Sequence, residues 1–287
     1  MQCRSQFIPV GGLRLHYLDY GPEDGPVALC WHGMLQTGRS HAPLARHLAG
    51  RGWRVLAFDL PGHGGSDWSG QPGRDYALEA FAEFGRRAVA ALGLERFSLI
   101  GTSLGGHVAM AMAAADPASR VDALVLNDVP MALPRAIADR VPMLVGQQSR
   151  FAFLDEADRH YRRVFAAGGT YDAALWPAYL ESLVRPHEAG GYVVHHDPAL
   201  RQQIEVNGHQ NDRTADYDRL RLPTLLIHAG RSSVVDAAAL ASMRARGPRP
   251  RVLELPDLGH PPCWSTPGLA EAVAAFLDQS VSDTDGA

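Results

Sequence analysis

Residues 101–106, "GTSLGG", hold a serine between glycines in the spacing G-x-S-x-G. The motif follows a run of buried type, "FSLI", and opens a small-residue stretch, "LGGHVAMAMAAA". A tight strand-to-helix turn of this kind exposes the serine hydroxyl above a sheet at a helix N-terminus, and its glycines stand where side chains would collide. Ser103 is therefore the candidate nucleophile. A serine hydroxyl is inert at neutral pH unless a base takes its proton and later returns it to a leaving group. Of the 13 histidines, His260 in "LGHPP" follows the last strand-like run, where loops over the carboxyl ends of strands can meet the Ser103 loop. It also comes after the serine, in the order serine, acid, histidine. His32 in "WHGM" precedes the serine. The glycine beside it lets the backbone swing the Met34 amide inward, and with the Leu104 amide this is expected to form an oxyanion hole.

Such residues must be held by a sheet. Short apolar runs recur at 27–33, 53–59, 97–103, 121–128, 224–230 and 251–257, most of them rich in Val, Leu and Ile and ending in polar or glycine residues. They read as strands buried on both faces of a parallel sheet. Helix patterns near 40–50, 75–92, 104–115, 236–246 and 267–278 alternate with them, which predicts crossover units and a doubly wound α/β sheet. "FIPVGGLRLHYLDYG" predicts an antiparallel hairpin at one edge.

The rhythm breaks between Met131 and Arg221. There "LDEADRHYRRVFAAGG" has a helical face and a Gly-Gly stop, and no long buried strand is evident. The expected organisation is a core of 1–130 and 222–287 with a helical cap, 131–221, inserted after the sixth strand. Aromatic residues in the cap could close a pocket over Ser103, with Phe151, Phe153, Trp176 and Tyr179 as the expected lining. The polar tail "SVSDTDGA" is expected to fray.

Bulk properties narrow the function classes. With 46% hydrophobic and 20% charged residues in 287, the chain can bury a large core. A net charge of −4 supplies no basic field for nucleic acid or anionic lipid. All 27 basic residues are arginine, which removes Schiff-base chemistry and a Ser-Lys pair. Three scattered cysteines argue against a disulfide framework and a thiolate zinc site. The neighbours His195 and His196 would point to opposite faces of a strand, so no metal is expected there, and Asp197-Pro198 reads as a helix start. The longest apolar stretch, 108–115, is far short of the ~20 residues that span a bilayer, and the first ten residues have no apolar leader core. The expectation is a soluble cytoplasmic protein, monomer or homodimer, with a small-molecule substrate and without metal or cofactor.

Taken together, "WHGM", "DLPGHGGSD" at 59–67, "GTSLGG" and "GHPP" resemble the α/β-hydrolase fold superfamily over nearly the whole length. The resemblance implies a serine hydrolase, cleaving a small carboxylic ester or lactone through an acyl-enzyme. Amide or carbon-carbon bond hydrolysis and acyl transfer use the same machinery, and a non-catalytic ligand-binding member of the fold is a further alternative. In many such relatives the acid follows the strand corresponding to "TLLIHAG", where this chain has Ser233. Nearby Asp236 precedes an alanine-rich helix pattern and is most simply its N-cap. Asp128 ends "VDALVLND"; if the strands run in chain order, it lies one strand spacing, ~4.8 Å, from the serine's strand. "LNDVP", the serine in "GRSSVV" and "GHPP" together resemble the branch of (acetamidomethylene)succinate hydrolases and zearalenone lactonases, which takes its acid from this earlier strand. Asp128 is the preferred acid, with Asp236 or an acid elsewhere as alternatives.

Overall fold

The computed structural model describes residues 3–116, 120–147 and 149–285. Its strands in chain order begin with β1 (Cys3–Val10), β2 (Leu13–Tyr20), β3 (Val27–Trp31), β4 (Arg54–Phe58), β5 (Phe97–Thr102) and β6 (Val121–Asn127). Three short ones follow, β7 (Arg150–Phe151), β8 (Val184–Pro186) and β9 (Tyr192–Val194), before β10 (Thr224–Ala229) and β11 (Arg251–Leu255). The main sheet has the order β1-β2-β4-β3-β5-β6-β10-β11. It is parallel from β4 to β11, and the β1–β2 hairpin adds on antiparallel at one edge.

Alternation along each strand sends side chains to two cores. Leu29 and Trp31 of β3 and Leu124 and Leu126 of β6 pack with Leu78, Phe81 and Val108, from helices Leu78–Ala91 and Leu104–Ala114. Ala28, Cys30, Ala123 and Val125 face the other way, against Leu44, Leu48, Val273 and Leu277 of helices Ala42–Gly50 and Leu269–Asp285. Two covered faces explain why the central strands are continuous apolar runs. Strand order decides the geometry above the sheet. Thr102 pairs with Asn127, and Asn127 with Ile227, so β5, β6 and β10 end in one row and the residues that follow leave side by side.

Between β6 and β10 the chain forms several helices, among them Val141–Gly146, Leu154–Val164 and Trp176–Leu183. It also forms a small antiparallel sheet, β7-β9-β8, which the helical expectation for 131–221 lacked. This stretch has an apolar cluster of its own, with Phe151, Tyr161, Trp176, Tyr179 and Val194 buried together. Helix Leu269–Asp285 runs into the polar tail, where Ser280 is buried and its hydroxyl donates to the Phe276 carbonyl. Gly286 and Ala287 lie outside the described residues. No helix among the described residues is long and apolar enough to cross a membrane.

Candidate active site

Ser103 sits between β5 and helix Leu104–Ala114 with φ 51° and ψ −118°. A positive φ is uncommon for a residue with a side chain and is held here by its surroundings. A Cβ on Gly101 would come within 2.4 Å of the Gly105 carbonyl oxygen, and one on Gly105 within 2.1 Å of the Trp31 carbonyl oxygen. The glycines of the motif are thus fixed by close approach of backbone to backbone.

The structure brings Ser103, His260 and Asp128 together. His260 Nε2 lies 2.9 Å from Ser103 Oγ, and its Nδ1 lies 2.8 Å from Asp128 Oδ2. A carboxylate only accepts, so Nδ1 carries the proton and Nε2 is left to accept the serine hydroxyl. Asp128 is fully buried and takes a left-handed φ of 54° at the end of β6, where its amide donates to the Ile227 carbonyl. Its other contacts come from β10 and the turn after it. The Ala229 amide donates to Oδ1 at 3.1 Å, and the Ser232 hydroxyl lies 2.6 Å from Oδ2. Ser232 Oγ also accepts the Val234 and Val235 amides at 3.0 Å each. With its acceptor positions taken by two amides, the single Ser232 proton is directed to Asp128.

Met34 and Leu104, whose amides are expected to stabilise an oxyanion, line the same cavity as Ser103 and His260. Leu104 is the first residue of its helix, where an N–H has no intrahelical acceptor. The loop of Met34 is pinned on both sides. Buried His32 donates from Nδ1 to the Gly33 carbonyl and accepts the Leu60 amide at Nε2, while the Gln36 side chain accepts the Gly33 amide. Burial holds the His32 imidazole below its ordinary pKa, against the opposing pull of Asp59. Its two nitrogens are spent on the loop.

Two cavities of about 240 and 230 Å³ meet at this site. The one containing Ser103 is walled mainly by apolar side chains, including Leu35, Ile137, Val141, Leu144 and Val145. The other is bordered by Thr102, Tyr171, Trp176, Tyr179 and Trp264, and Gln36, Phe165 and Pro261 line both.

A family model described as alpha/beta hydrolase fold matches residues 26–267. The chain belongs to the alpha/beta hydrolase fold family. Among curated relatives, a 3-hydroxybutyrate-oligomer hydrolase of Cupriavidus necator is 27% identical, covering 96% of each chain. An N-formylmaleamate deformylase of Pseudomonas putida is 28% identical, covering 94% of this chain and 95% of its own. Of solved structures, an alpha/beta hydrolase of Novosphingobium aromaticivorans superposes with a TM-score of 0.84 at 30% identity, over 96% of this chain and 98% of that one. An E-2-(acetamidomethylene)succinate hydrolase gives 0.83 at 24% identity, over 96% and 100%, a likeness of fold. Of these two curated relatives one is named a hydrolase and the other a deformylase, and this chain matches both along nearly its whole length.

The remaining sequence expectations divide between those the structure meets and those it corrects. Asp236 is the N-cap of helix Ala237–Ala245, its side chain accepting the Ala239 amide at 2.8 Å. Trp176 and Tyr179 border the second cavity, but Phe151 and Phe153 do not line either one. Phe151 packs inside the cluster of its own segment beside His160 and Tyr161, because β7 turns its ring inward. Phe153, the N-cap residue of helix Leu154–Val164, is 69% exposed. The aromatic residue at the junction is instead Phe165, at the C-cap of that helix. Ser232 went unnoticed beside Ser233; its signal was a serine two residues past Gly230 in a turn that faces the end of β6. Asp197 caps the turn Pro198–Arg201 as expected, and no metal-binding cluster occurs among the described residues.

Proposed function

We propose that this hydrolase-fold protein is a serine hydrolase that cleaves a small carboxylic ester or lactone through an acyl-enzyme. The observation that carries the reading is the hydrogen-bonded chain Ser103–His260–Asp128, opening on an apolar cavity. Ser103 Oγ attacks the acyl carbon while His260 Nε2 takes its proton. The carbonyl oxygen becomes an anion facing the Met34 and Leu104 amides. Collapse breaks the bond to the alcohol oxygen, which leaves with the proton from His260. Water then repeats the sequence on the acyl-enzyme, so ester and water become acid and alcohol. Asp128 holds the productive tautomer and balances the imidazolium. This scheme calls for no cofactor. Residues 131–221 act as a cap whose side chains shape the apolar cavity. A non-catalytic role loses its motive, since the acid missing at Ser233 has a substitute in contact with His260.

The ester class is supported by the name of the Cupriavidus relative. The deformylase relative favours a second reading, amide cleavage by the same residues. Labelling with a fluorophosphonate, followed by turnover of matched ester, lactone and amide panels, tests both. Ser103 is expected to be labelled once per chain, and Ser103→Ala to lose label and turnover while melting like the parent. Label on another serine would remove the nucleophile assignment, and preference for the amide would move the chain to the second reading.

A further inference from the structure

The chamber that contains Ser103 has a polar patch in its mainly apolar lining. His107 and Gln203, 3% and 1% exposed, belong to it together with Asn211. Hydrogen bonds behind these side chains fix which of their atoms stay open. The Gly208 carbonyl only accepts, so Asn211 turns its amide nitrogen to it at 3.2 Å and offers Oδ1 to Gln203. Gln203 Nε2 donates to that oxygen at 2.9 Å, which leaves Gln203 Oε1 outside the pair. In the same way the Pro130 carbonyl takes the proton of His107 Nε2 at 2.9 Å, so His107 Nδ1 carries a bare lone pair. Neither Gln203 Oε1 nor His107 Nδ1 has a hydrogen-bond partner among the described residues, and neither is one of the atoms sealed from solvent. Both therefore open on the chamber that their residues line. They share one side of it. Met131 and Leu133, next to Pro130, pair with Arg213 and Asn211 through backbone hydrogen bonds of 2.7 and 3.1 Å, so the strip that receives His107 also carries the Asn211 that orients Gln203.

Buried polar atoms in native proteins are nearly always paired, so two open acceptors call for a proton that arrives with a ligand. A carbonyl, an ether or a carboxylate has none to give. An ammonium has, but no acidic side chain among the described residues lines the chamber, and burial keeps His107 neutral, with its pKa pushed down to about 4. A cation here would lose its hydration and gain no counter-charge. An amide N–H brings a carbonyl that must be desolvated along with it, whereas a neutral hydroxyl brings one proton and little else. Position ties that hydroxyl to the acyl chain. In an acyl-enzyme the acyl group is bonded to Ser103 Oγ, and Ser103 lines this chamber and not the neighbouring one. The His107 amide donates to the Ser103 carbonyl at 3.3 Å, so His107 stands one helical turn on from the nucleophile, ~5.4 Å along the axis. A hydroxyl on a short acyl chain covers that span.

We propose that His107 and Gln203 form a subsite that accepts a hydrogen bond from a substrate hydroxyl, so that the preferred substrates are esters of hydroxylated acyl chains. The proposal rests on the ester-hydrolase reading for the bond that is cleaved, but binding tests it separately.

Methyl hexanoate, its 3-hydroxy and 6-hydroxy derivatives, and the methyl ethers of those two alcohols serve as probes; each ether keeps the oxygen and loses the proton. Calorimetry with Ser103→Ala, which binds without turnover, is expected to show at least one hydroxy ester binding about tenfold more tightly than methyl hexanoate, and its ether no more tightly than methyl hexanoate. Gln203→Leu and His107→Phe each remove one acceptor. In the Ser103→Ala background the ratio of hydroxy-ester to plain-ester affinity is expected to fall about tenfold in at least one of them. Where a variant does not fold, the comparison of alcohol with ether, made on the unaltered chamber, decides by itself. Hydroxy esters that bind no better than methyl hexanoate, an ether bound as tightly as its alcohol, binding of none of the probes, or a ratio unaltered in both folded variants would each overturn the subsite. Preferential binding of a hydroxy ester that the parent enzyme does not hydrolyse would uphold the subsite and remove the ester-hydrolase reading instead.

Discussion

Asp128 and Asp236 are separated by the work each side chain does. Asp128, itself fully buried, accepts from His260, Ser232 and Ala229, whereas Asp236 accepts one helix amide at the surface. Asp128→Asn keeps the shape but favours the wrong imidazole tautomer, so kcat is expected to fall by about 10³-fold to 10⁴-fold. Asp236→Ala should leave kcat close to the parent and cost about 1 kcal/mol in urea unfolding. The opposite pattern would move the acid. Ser232→Ala removes the donor that fixes the Asp128 oxygen shared with His260, and is expected to lower kcat about tenfold with little change in KM. Ser232→Thr, which keeps the hydroxyl, should recover most of that loss. If KM rises while kcat holds, Ser232 serves the pocket and not the acid. The position of Asp128 was legible because an aspartate ending a buried strand is conspicuous. Ser232 was not, since one serine in a turn looks like its neighbour until the facing strand end is known.

At the scale of elements, the six parallel strands were legible, and each forms within a residue or two of its apolar run, but β11 corrects the expectation of burial on both faces: it closes the sheet as an edge strand and none of its residues is buried. Their runs are long enough to stand out as continuous apolar segments. β7, β8 and β9 are two or three residues each, too short to carry a period, and they exist because they pair with one another over a local cluster. That pairing decides which aromatic residues border the cavities. Phe151 is buried within the cluster, so Phe151→Ala is expected to cost about 3 kcal/mol of stability with little change in substrate preference among folded molecules. Phe165 borders both cavities, so Phe165→Ala should change KM and chain-length preference more than Tm. Unfolding titrations and a series of esters of increasing acyl length check the pair. An exchange of the two outcomes would show that the segment presents its other side to the substrate.

Across the whole molecule, histidine burial couples the fold to pH. Burial, the dominant cause in each case, pushes His107 down to about 4 and His41 to about 3, and holds His63 well below and His32 below the ordinary value near 6.5. His107 is the clearest case, because its Nε2 donates to the Pro130 carbonyl while its ring is enclosed beneath the Ser103 cavity. Each such imidazole is neutral in the folded chain and gains a proton when the chain unfolds. The unfolded state therefore binds more protons below pH ~6.5, and the stability these residues allow is fully present above that point and lost as pH falls toward 4. Each contributes a slope of up to about 1.4 kcal/mol per pH unit within the window, distinct from the ion-paired carboxylates, whose loss begins lower. Urea unfolding at about pH 7.5 and about pH 5 is expected to give a clearly lower midpoint at the acid end. His107→Gln retains an N–H donor but cannot titrate, so its stability should fall less steeply between about pH 6 and about pH 5, by close to one proton in the linkage slope. A parent midpoint that does not move over this range, or a His107→Gln slope equal to the parent's, would mean that these imidazoles are charged in the fold or reach solvent without unfolding.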